Sequence, residues 1–476
     1  MKLKHTFAES VTLLQNKELS AVELAGLALD QAESTNSALN AFITIDRKTA
    51  LDQAKTADQR RASGEIVSSL CGLPYVMKDV YVTKDVTTTA GSQVLAGYIP
   101  PYSATVYEKL QQSGAVLIGK NNQDAWGHGG SSENNDFGPV KNPWNESRVA
   151  GGSSGGTAAA LAVGAGLFGI AEDTGGSIRN PASFCNLTGL KVTYGRVSRY
   201  GAIAYASSFD TVGPMARSAQ DCAAVMEAIA GFDSLDASSS HEAVPFYQRE
   251  LTQSLRGKVI GIPKEFFTDA LNPQVKTIVN ASLRQLEQLG MKLTEISLPT
   301  VKYGHAIYYV LVFAETSSNL GRYDAVRFGA DRSHFTDETI RRIITGTFGL
   351  SSGYYDAYYK KAMQGRSVLI QEFAEAYQKV DVIASPVMPF PAYPIGGIES
   401  QFKPEDVDLA MYLADIYTCP ANTVGVPAIS IPAGFTKQHL PVGLQLHGKM
   451  FAESTLLAIA HQYQSVTNWH QESPRL

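Results

Sequence analysis

The sequence predicts an α/β fold in which strands and helices alternate to build a layered sheet. Short apolar runs typical of buried strands span residues 73–77 and 115–119, and a stretch with helical periodicity, 105–114, lies between them. The same order of strand, helix and strand returns between 259 and 296. Of the 476 residues, 44% are hydrophobic and 18% are charged, which is usual for a soluble globular protein with a large core. This alternation is the pattern of α/β proteins.

The N-terminal part, 1–65, is predicted to be helical. Capping boxes at 6–9 and 20–23 mark two helix starts, since each pairs a hydroxyl residue with a glutamate three positions later. A charged, alanine-rich helix is expected at 46–64. We therefore expect the first strand that carries chemistry to follow these helices.

The remainder of the chain shows no Pro/Gly/Ser-rich linker and no repeat. Residues 66–215 hold the motifs that carry chemistry, and 216–476 continue the α/β pattern. A tyrosine-rich region, 303–377, is predicted to be mostly helical. Later strands are predicted at 380–384, 428–431 and 442–446. The simplest expectation is a single domain, 1–476.

Charge and cysteine pattern exclude several classes of protein. The net charge is −5 and there is no basic block, so the chain has no electrostatic footprint for holding nucleic acid by itself. The four cysteines lack the spacing of metal ligands or of a disulfide scaffold and are expected to be reduced thiols, with no metal site. The chain starts without an apolar signal core, and its longest apolar run is too short and glycine-rich to span a bilayer. We expect a soluble, cytoplasmic enzyme.

One stretch, 151–181, carries the strongest functional signal. Two Gly/Ser clusters, 151–156 and 173–177, bracket an apolar run, 158–171, that is predicted to be a buried helix. Ser177 follows two glycines, which lets consecutive backbone N–H groups face one oxygen atom, as an oxyanion hole requires. A single cluster of this kind is more often a flexible loop. A phosphate-binding loop is excluded, because neither cluster has the Gly-x-x-x-x-Gly-Lys-Ser/Thr form.

A motif further upstream completes a pattern. Residues 72–79 read Gly-Leu-Pro-Tyr-Val-Met-Lys-Asp and place Lys78 at the end of a predicted strand. Lys78 precedes Ser153 by 75 residues, and Ser153 precedes Ser177 by 24. The three motifs, in this order and spacing, resemble the signature of the amidase signature family of serine hydrolases. The resemblance implies a large twisted mixed β-sheet covered by α-helices on both faces.

The same resemblance implies amide hydrolysis by a Ser-cisSer-Lys triad. Ser177 would be the nucleophile, Lys78 the base, and Ser153 the hydroxyl that passes the proton between them, with Ser154 in support. The backbone N–H groups of Thr174, Gly175, Gly176 and Ser177 would form the oxyanion hole. The lysine must be neutral when it acts, and burial disfavours the charged form of a lysine. A hydroxyl can accept one hydrogen bond while it donates another.

Each of these residues also has a purely structural interpretation. A lone lysine after a strand is usually a surface charge, and Ser153 alone would be a turn residue. Asp173 and Arg179 are expected to hold the loop rather than to react. Cys185, eight residues after Ser177, is a weak candidate nucleophile because no histidine partner is suggested.

Segments outside the signature are similar to one branch of the family, the A subunits of glutamyl-tRNA(Gln)/aspartyl-tRNA(Asn) amidotransferases. They are 195–201, 206–210, 315–320, 350–361 and 440–446. In this branch the protein hydrolyses glutamine and sends ammonia through a channel to the B subunit, which binds tRNA and does the ATP- and Mg²⁺-dependent work. The resemblance therefore implies no cofactor in this chain, ATP and Mg²⁺ on the B subunit, and subunits B and C as partners. The product would be Gln-tRNA(Gln) made from Glu-tRNA(Gln), while conversion of Asp-tRNA(Asn) to Asn-tRNA(Asn) stays open.

Glutamine carries a carboxylate and an ammonium at one end, and a pocket without water must pair each of them with an opposite charge. By resemblance, Arg342 matches the carboxylate-binding arginine of the family and Asp415 its ammonium-binding aspartate. Tyr308 matches a pocket tyrosine, and His128, in a glycine-rich loop, is the histidine expected near the pocket. The structural alternative for Arg342 and for Asp415 is a charge on a helix surface.

Three departures from the pattern of the branch concern the pocket wall and the partner contacts. Residues 123–129 read Gln-Asp-Ala-Trp-Gly-His-Gly, where the branch usually has Met-Asp-Glu-Phe-Ala-Met-Gly. Asn180 stands where glutamine is usual, and the segment between Gly329 and Arg341 is shorter than usual.

Two other functions stay open. One is a free-standing amidase that acts on small or aryl amides, and a fixed pair of charges for the amino-acid end of glutamine would argue against it. The other is a catalytically silent scaffold subunit, against which the intact Lys78, Ser153 and Ser177 argue.

Overall fold

A mixed sheet of eleven strands forms the centre of the part of the chain that the structure, a computed structural model, describes: residues 5–323, 325, 330–397 and 414–475. In chain order the strands are β1 Phe42–Ile45, β2 Pro74–Lys78, β3 Val116–Asn121, β4 Lys141–Asn142, β5 Asn145–Val149, β6 Phe168–Asp173, β7 Thr188–Lys191, β8 Thr211–Ala216, β9 Val259–Pro263, β10 Lys292–Ile296, β11 Val382–Pro386, β12 Ala428–Phe435 and β13 Pro441–Gly448. The short strands β4 and β5 pair only with each other. Across the large sheet the order is β1-β3-β2-β6-β8-β7-β12-β13-β11-β9-β10.

Helices cover this sheet on both faces. In chain order they are α1 Phe7–Gln15, α2 Ala21–Leu39, α3 Arg47–Ala62, α4 Thr105–Gln112, α5 Gly155–Ala162, α6 Arg179–Phe184, α7 Ala219–Ile229, α8 Tyr247–Glu250, α9 Pro273–Gln288, α10 Gly304–Asn319, α11 Asp337–Leu350, α12 Lys361–Ala376, α13 Cys419–Val424 and α14 Glu453–Ser465. Every residue of β2, β3, β6, β7 and β8 is buried. Since successive side chains of a strand point to opposite faces, strands buried throughout require cover on both sides. The α/β fold predicted from the sequence is confirmed.

The pairing of β2 with β6 positions the functional groups. These two strands are parallel, with Tyr75 opposite Phe168 and Met77 opposite Ile170. The carboxyl ends of parallel strands lie at the same edge of a sheet. Lys78, the last residue of β2, therefore lies at the same edge as the Gly/Ser cluster that follows β6.

The N-terminal helices begin where the sequence predicts. Thr6 and Ser20 each accept a hydrogen bond from the N–H three residues later, and the glutamates at those positions bond back to the cap. Helix α3 starts after Asp46, whose side chain accepts from the N–H of Thr49. Both capping boxes and the helix at 46–64 are confirmed.

The apolar run 158–171 is not one helix, and this prediction is wrong. Helix α5 ends at Ala162, and β6 starts at Phe168. Gly164, at a φ of +82°, adopts the left-handed conformation that commonly ends a helix. The composition of the run did not predict this turn, because the glycines of the run are also compatible with a tightly packed buried helix.

The tyrosine-rich region is helical as predicted, in α10, α11 and α12, with residues 324 and 326–329 outside the described part of the chain. The predicted strands at 380–384, 428–431 and 442–446 correspond to β11, β12 and β13. The single domain 1–476 stays a prediction. None of the described helices is long and apolar enough to cross a membrane.

Candidate active site

Lys78 is buried and reaches two oxygen atoms. Its Nζ lies 2.7 Å from Ser153 Oγ and 2.7 Å from Glu172 Oε2. The lysine has no exposed surface, so the interpretation of Lys78 as a surface charge is excluded. The contact with Ser153 was expected from the resemblance to the amidase signature family, whereas the contact with Glu172 was not.

The loop that carries Ser153 is tightly held. The peptide bond between Gly152 and Ser153 is cis. The Ser153 carbonyl accepts a hydrogen bond of 3.1 Å from the Asp124 N–H. A Cβ on Gly152 would collide with the Asp124 carboxylate, so only glycine fits there. The Ser132 hydroxyl, which the sequence analysis did not single out, donates to the Gly151 carbonyl at 2.9 Å.

Two contacts join this loop to the segment around Ser177. The Ser154 hydroxyl donates to the backbone carbonyl of Glu172 at 3.1 Å, so Ser154 ties its loop to the end of β6. Gly151 packs so closely on Asn180 and Pro181 that a Cβ there would lie 2.6 Å from Asn180 Oδ1. Ser177 keeps 6% of its surface exposed, while Lys78 and Ser153 keep none. Of the three residues of the expected triad, Ser177 is thus the one that an incoming molecule can reach.

A buried ion pair shapes the turn that carries Ser177. Asp173 accepts from the N–H groups of Gly176 and Ile178 at 2.9 and 3.1 Å, and Arg179 Nη2 lies 2.9 Å from Asp173 Oδ1. Burial alone would raise the pKa of Asp173, but the Arg179 guanidinium lowers it to about 2. The carboxylate therefore stays ionised at any working pH. The expectation that this pair holds the loop is confirmed.

Arg179 also links the turn to the C-terminal third of the chain. It donates to Thr418 O at 2.8 Å, to Gln445 Oε1 at 2.7 Å and to Asn422 Oδ1 at 2.6 Å. Thr418 lies just before α13, Gln445 lies on β13, and Asn422 lies within α13. The shape of the Ser177 turn thus depends on residues about 240 to 270 positions later in the chain.

Of the four N–H groups expected to form an oxyanion hole, the one of Gly176 donates to Asp173. Among the described residues, no acceptor is found for the N–H groups of Thr174, Gly175 and Ser177. A Cβ on Gly175 would collide with the Tyr308 hydroxyl, so only glycine fits at this position. We therefore assign the candidate oxyanion donors to Thr174, Gly175 and Ser177.

A chain of carboxyl and hydroxyl groups extends from Glu172. The Thr174 hydroxyl contacts Glu172 Oε1 and lies 2.7 Å from Asp210 Oδ1. Asp210 accepts from the N–H groups of Tyr205 and Ala206 at 3.1 and 2.9 Å. Burial, with the neighbouring Glu172, raises the pKa of Asp210 to about 8. Sequence reasoning missed this row of connected side chains, although segment 206–210 is similar to the A subunits.

A second polar cluster lies near Gly130. Asp415 is partly buried, and its Oδ2 accepts a hydrogen bond of 2.7 Å from the Tyr309 hydroxyl. Burial raises the pKa of Asp415 to about 6, although Tyr309 and Arg342 act in the opposite direction. A Cβ on Gly130 would lie 3.8 Å from Asp415 Oδ1, and the Gly130 carbonyl accepts from Asn180 Nδ2 at 2.8 Å. This cluster therefore adjoins the residues that follow Ser177.

Arg342 is buried, with 3% of its surface exposed, so the interpretation as a solvated helix charge is excluded. Its Nε lies 2.6 Å from Glu338 Oε1, and Nη1 donates to the Tyr205 hydroxyl at 2.5 Å. The guanidinium carbon faces the rings of Phe313 at 5.3 Å, Tyr205 at 5.6 Å and Tyr309 at 5.9 Å. Arg342 and Asp415 thus meet at Tyr309, a residue that sequence reasoning passed over in favour of its neighbour Tyr308.

His128 lies behind this cluster. Its Nε2 and Nδ1 lie 2.7 Å from the Thr316 hydroxyl and 3.2 Å from that of Thr339. The ring packs edge to face on Tyr205, with centroids 4.6 Å apart. Burial and the nearby Arg342 hold the pKa of His128 well below its usual value. Both ring nitrogens thus have hydroxyl partners, and the ring supports Tyr205; contact of His128 with a ligand stays a prediction.

The departure at 123–129 forms part of the wall. Trp126 is buried, with its ring 4.7 Å from that of Tyr323 and 5.6 Å from that of Phe335. Burial raises the pKa of Asp124 to about 7, although its oxygens accept from the N–H groups of Ser132 and Asn134. Of the shortened segment 329–341, residue 329 lies outside the described residues. Helix α11 then begins at Asp337.

Cys185 is not the nucleophile. It is buried, its thiol lies 3.4 Å from the Ala150 carbonyl, and burial raises its pKa.

A cavity of about 610 Å³ lies elsewhere, between α1 and the C-terminal residues, and none of the candidate site residues lines it. Within the described ranges, no group of three or more His, Cys, Asp or Glu side chains is arranged to hold a metal ion.

Comparisons with known proteins identify relatives over nearly the whole chain. The model of the Amidase family matches residues 23–457. The chain is 47% identical to the A subunit of glutamyl-tRNA(Gln) amidotransferase from Chromohalobacter salexigens, over 98% of both chains. It is 46% identical to that of Marinomonas sp., over 97% of both.

Among solved structures, the A subunit of glutamyl-tRNA(Gln) amidotransferase from Thermotoga maritima has a TM-score of 0.83 at 36% identity, over 98% of this chain and 95% of that one. A bacterial aryl acylamidase of the amidase signature family has a TM-score of 0.88 at 25% identity, over 98% and 97%.

Proposed function

This chain belongs to the amidase family, and from that premise we propose that it is the glutaminase subunit of a tRNA-dependent amidotransferase. It would hydrolyse glutamine and supply the ammonia that converts Glu-tRNA(Gln) to Gln-tRNA(Gln). The observation that carries the proposal is the 47% identity, over nearly the full length of both chains, to a protein of that name. The buried Lys78–Ser153 pair, beside an accessible Ser177, supplies the chemistry.

The proposed reaction begins with attack by Ser177 Oγ on the side-chain amide carbon of glutamine. Ser153 takes the proton of Ser177 and passes its own proton to the neutral Lys78 amine, at 2.7 Å. The N–H groups of Thr174, Gly175 and Ser177 stabilise the negative charge on the carbonyl oxygen. The proton then returns to the leaving nitrogen, ammonia departs, and water releases glutamate by the same route in reverse.

The specificity for glutamine is assigned to Asp415 and Arg342. Asp415 would bind the ammonium, and Arg342 the carboxylate, through a planar guanidinium that suits two parallel hydrogen bonds. Two observations support this proposal: both residues contact Tyr309, and Asp415 lies close to Gly130, next to the residues that follow Ser177. Tyr308, whose hydroxyl lies against Gly175, would connect the pocket to the oxyanion donors.

The partners follow from the same proposal. We place this chain in a cytoplasmic complex with subunits B and C, in which the B subunit holds the tRNA and uses ATP and Mg²⁺. The net charge of −5, with no basic block and no phosphate-binding loop in the sequence, supports a division of labour in which another chain holds the tRNA.

A free-standing amidase is the second candidate, favoured by the TM-score of 0.88 to an aryl acylamidase. An aryl amide has no charges for Asp415 and Arg342 to bind, so this candidate gives these two charged side chains no part in substrate recognition. The role of glutaminase subunit therefore accounts for more of the site.

The experiment that separates the two is an assay of the purified chain, alone and with subunits B and C and charged tRNA. The glutaminase subunit is expected to be weak alone and to be stimulated by its partners. Full activity toward small amides without partners, and no stimulation, would establish the free-standing amidase instead.

A further inference from the structure

Glu172 is the second acceptor of the lysine proposed as the base. Its Oε2 lies 2.7 Å from Lys78 Nζ, and the two side chains keep 4% and 0% of their surface exposed. Ser153 Oγ lies on the same nitrogen at 2.7 Å. A neutral amine has two hydrogens and one lone pair, so a hydrogen bond to Glu172 restricts where the lone pair can point.

Glu172 is itself fixed from its other side. Its Oε1 contacts the Thr174 hydroxyl, which also lies 2.7 Å from Asp210. One hydroxyl proton cannot serve two carboxylates, so one of the two acids must donate to Thr174. Burial and the nearby Glu172 raise the pKa of Asp210, which favours Asp210 as the acid that donates to Thr174. Glu172 is then the acceptor that faces Lys78.

We propose that Glu172 is the positioning residue of Lys78: its carboxylate accepts one N–H of the neutral amine and so turns the lone pair toward the Ser153 hydroxyl. This inference rests on the proposed role of Lys78 as the base. During attack the Ser153 O–H bond breaks and a third N–H bond forms on Lys78, while Ser153 regains a proton from Ser177. Glu172 neither gains nor loses a proton in this step, and it acts only through the lysine.

The same carboxylate also forms a buried ion pair with the ammonium form of Lys78. The other ionisable groups around this pair are Asp124, Asp210 and Tyr81, each of which interacts electrostatically with Lys78 or Glu172. None of them contacts the lysine as directly as Glu172.

Two substitutions separate orientation from charge. Glu172→Ala removes the acceptor, and kcat should fall by about 100-fold, the size of a general-base contribution, with KM changed by less than about threefold. Glu172→Gln keeps an oxygen for the amine and a donor for Thr174 but removes the charge. Its kcat should stay within about tenfold of the wild type, because the amide oxygen can still accept an N–H of the amine.

The readout is kcat and KM of the full-length chain with glutamine and, separately, with an activated nitrophenyl ester. A wild-type kcat in Glu172→Ala, or a kcat in Glu172→Gln as low as that of the alanine variant, would overturn the proposal. Glu172→Met, which is close to Glu in volume but has no oxygen, repeats the alanine test if the alanine variant does not fold. Thermal unfolding checks each variant.

The ester distinguishes failure of this inference from failure of the proposed function. If the wild type is acylated by the ester but does not hydrolyse glutamine, the glutaminase function is wrong while the Glu172 variants can still be compared. If Lys78→Ala reacts with the ester as fast as the wild type does, lysine is not the base, and the positioning role falls with it.

Discussion

The Tyr309 hydroxyl donates a 2.7 Å hydrogen bond to Asp415 Oδ2, while the ring of the same tyrosine lies 5.9 Å from the guanidinium carbon of Arg342. Tyr309 therefore contacts both Asp415 and Arg342, which we propose bind the ammonium and the carboxylate of glutamine. The tyrosine fixes the carboxylate through its polar tip and faces the guanidinium with its ring.

This arrangement predicts what happens when either charge is removed. Asp415→Asn and Arg342→Ala should each weaken kcat/KM for glutamine by about 2–5 kcal/mol, the usual effect of breaking one side of a desolvated charge pair. Reaction of Ser177 with an ester that lacks both charges should stay unchanged. Arg341→Ala is the matched control, because Arg341 is the neighbouring arginine and its side chain is 44% exposed. Normal glutamine use in both pocket variants would refute the assignment.

The nucleophile can be identified by its covalent adduct. Ser177→Ala should abolish glutamine hydrolysis and any glutamyl adduct, since the proposed acyl-enzyme forms on the Ser177 oxygen. Mass spectrometry of a quenched reaction locates the adduct. Cys185→Ser serves as the control and should leave the adduct intact, because the Cys185 thiol is buried. An adduct at any residue other than Ser177 would contradict the mechanism.

Loss of Lys78 should affect stability as well as rate. Lys78→Met should lower kcat by several orders of magnitude, since members of a triad act as a unit. It should also destabilise the fold by about 3–5 kcal/mol, because it leaves the Glu172 carboxylate buried without its partner. Adding Glu172→Gln should recover stability but not activity, which chemical denaturation and a steady-state assay would measure. Activity in the double variant would show that another group is the base.

The pH dependence of KM should report Asp415. Its pKa is raised to about 6, and only the ionised carboxylate attracts the ammonium of glutamine. KM should therefore be low and constant above this value and rise as pH falls through about 6. In Asp415→Asn this part of the profile should be absent, at a higher KM throughout. A wild-type KM that does not change between pH 5 and about 7.5 would contradict the role of the carboxylate.

The fold class and the placement of Lys78 follow from the sequence because both depend on local pattern. A short apolar strand that ends in lysine, and the Gly/Ser cluster around Ser177, are each contiguous. By contrast, the parallel pairing of β2 and β6 was not predicted, because β6 begins inside the run 158–171 that was predicted to be one buried helix. Gly164 turns the chain inside this otherwise uniform apolar run.

The contacts that sequence reasoning missed join segments far apart in the chain. Glu172 meets Lys78 across 94 residues, and Tyr309 meets Asp415 across 106. Nothing in the residues around Tyr309 distinguishes it from Tyr308, because the difference lies in which way each ring points from α10. Such pairings are decided by helix rotation and packing, which periodicity alone does not specify.

The links from Arg179 to Thr418, Asn422 and Gln445 have a consequence for the order in which the chain is made. The ribosome releases Ser177 long before Gln445, so the turn around the serine lacks three of its supports through more than half of translation. An unfinished polypeptide would carry every residue of the proposed triad but lack these supports of the turn. We therefore expect enzymatic competence only when synthesis is nearly complete.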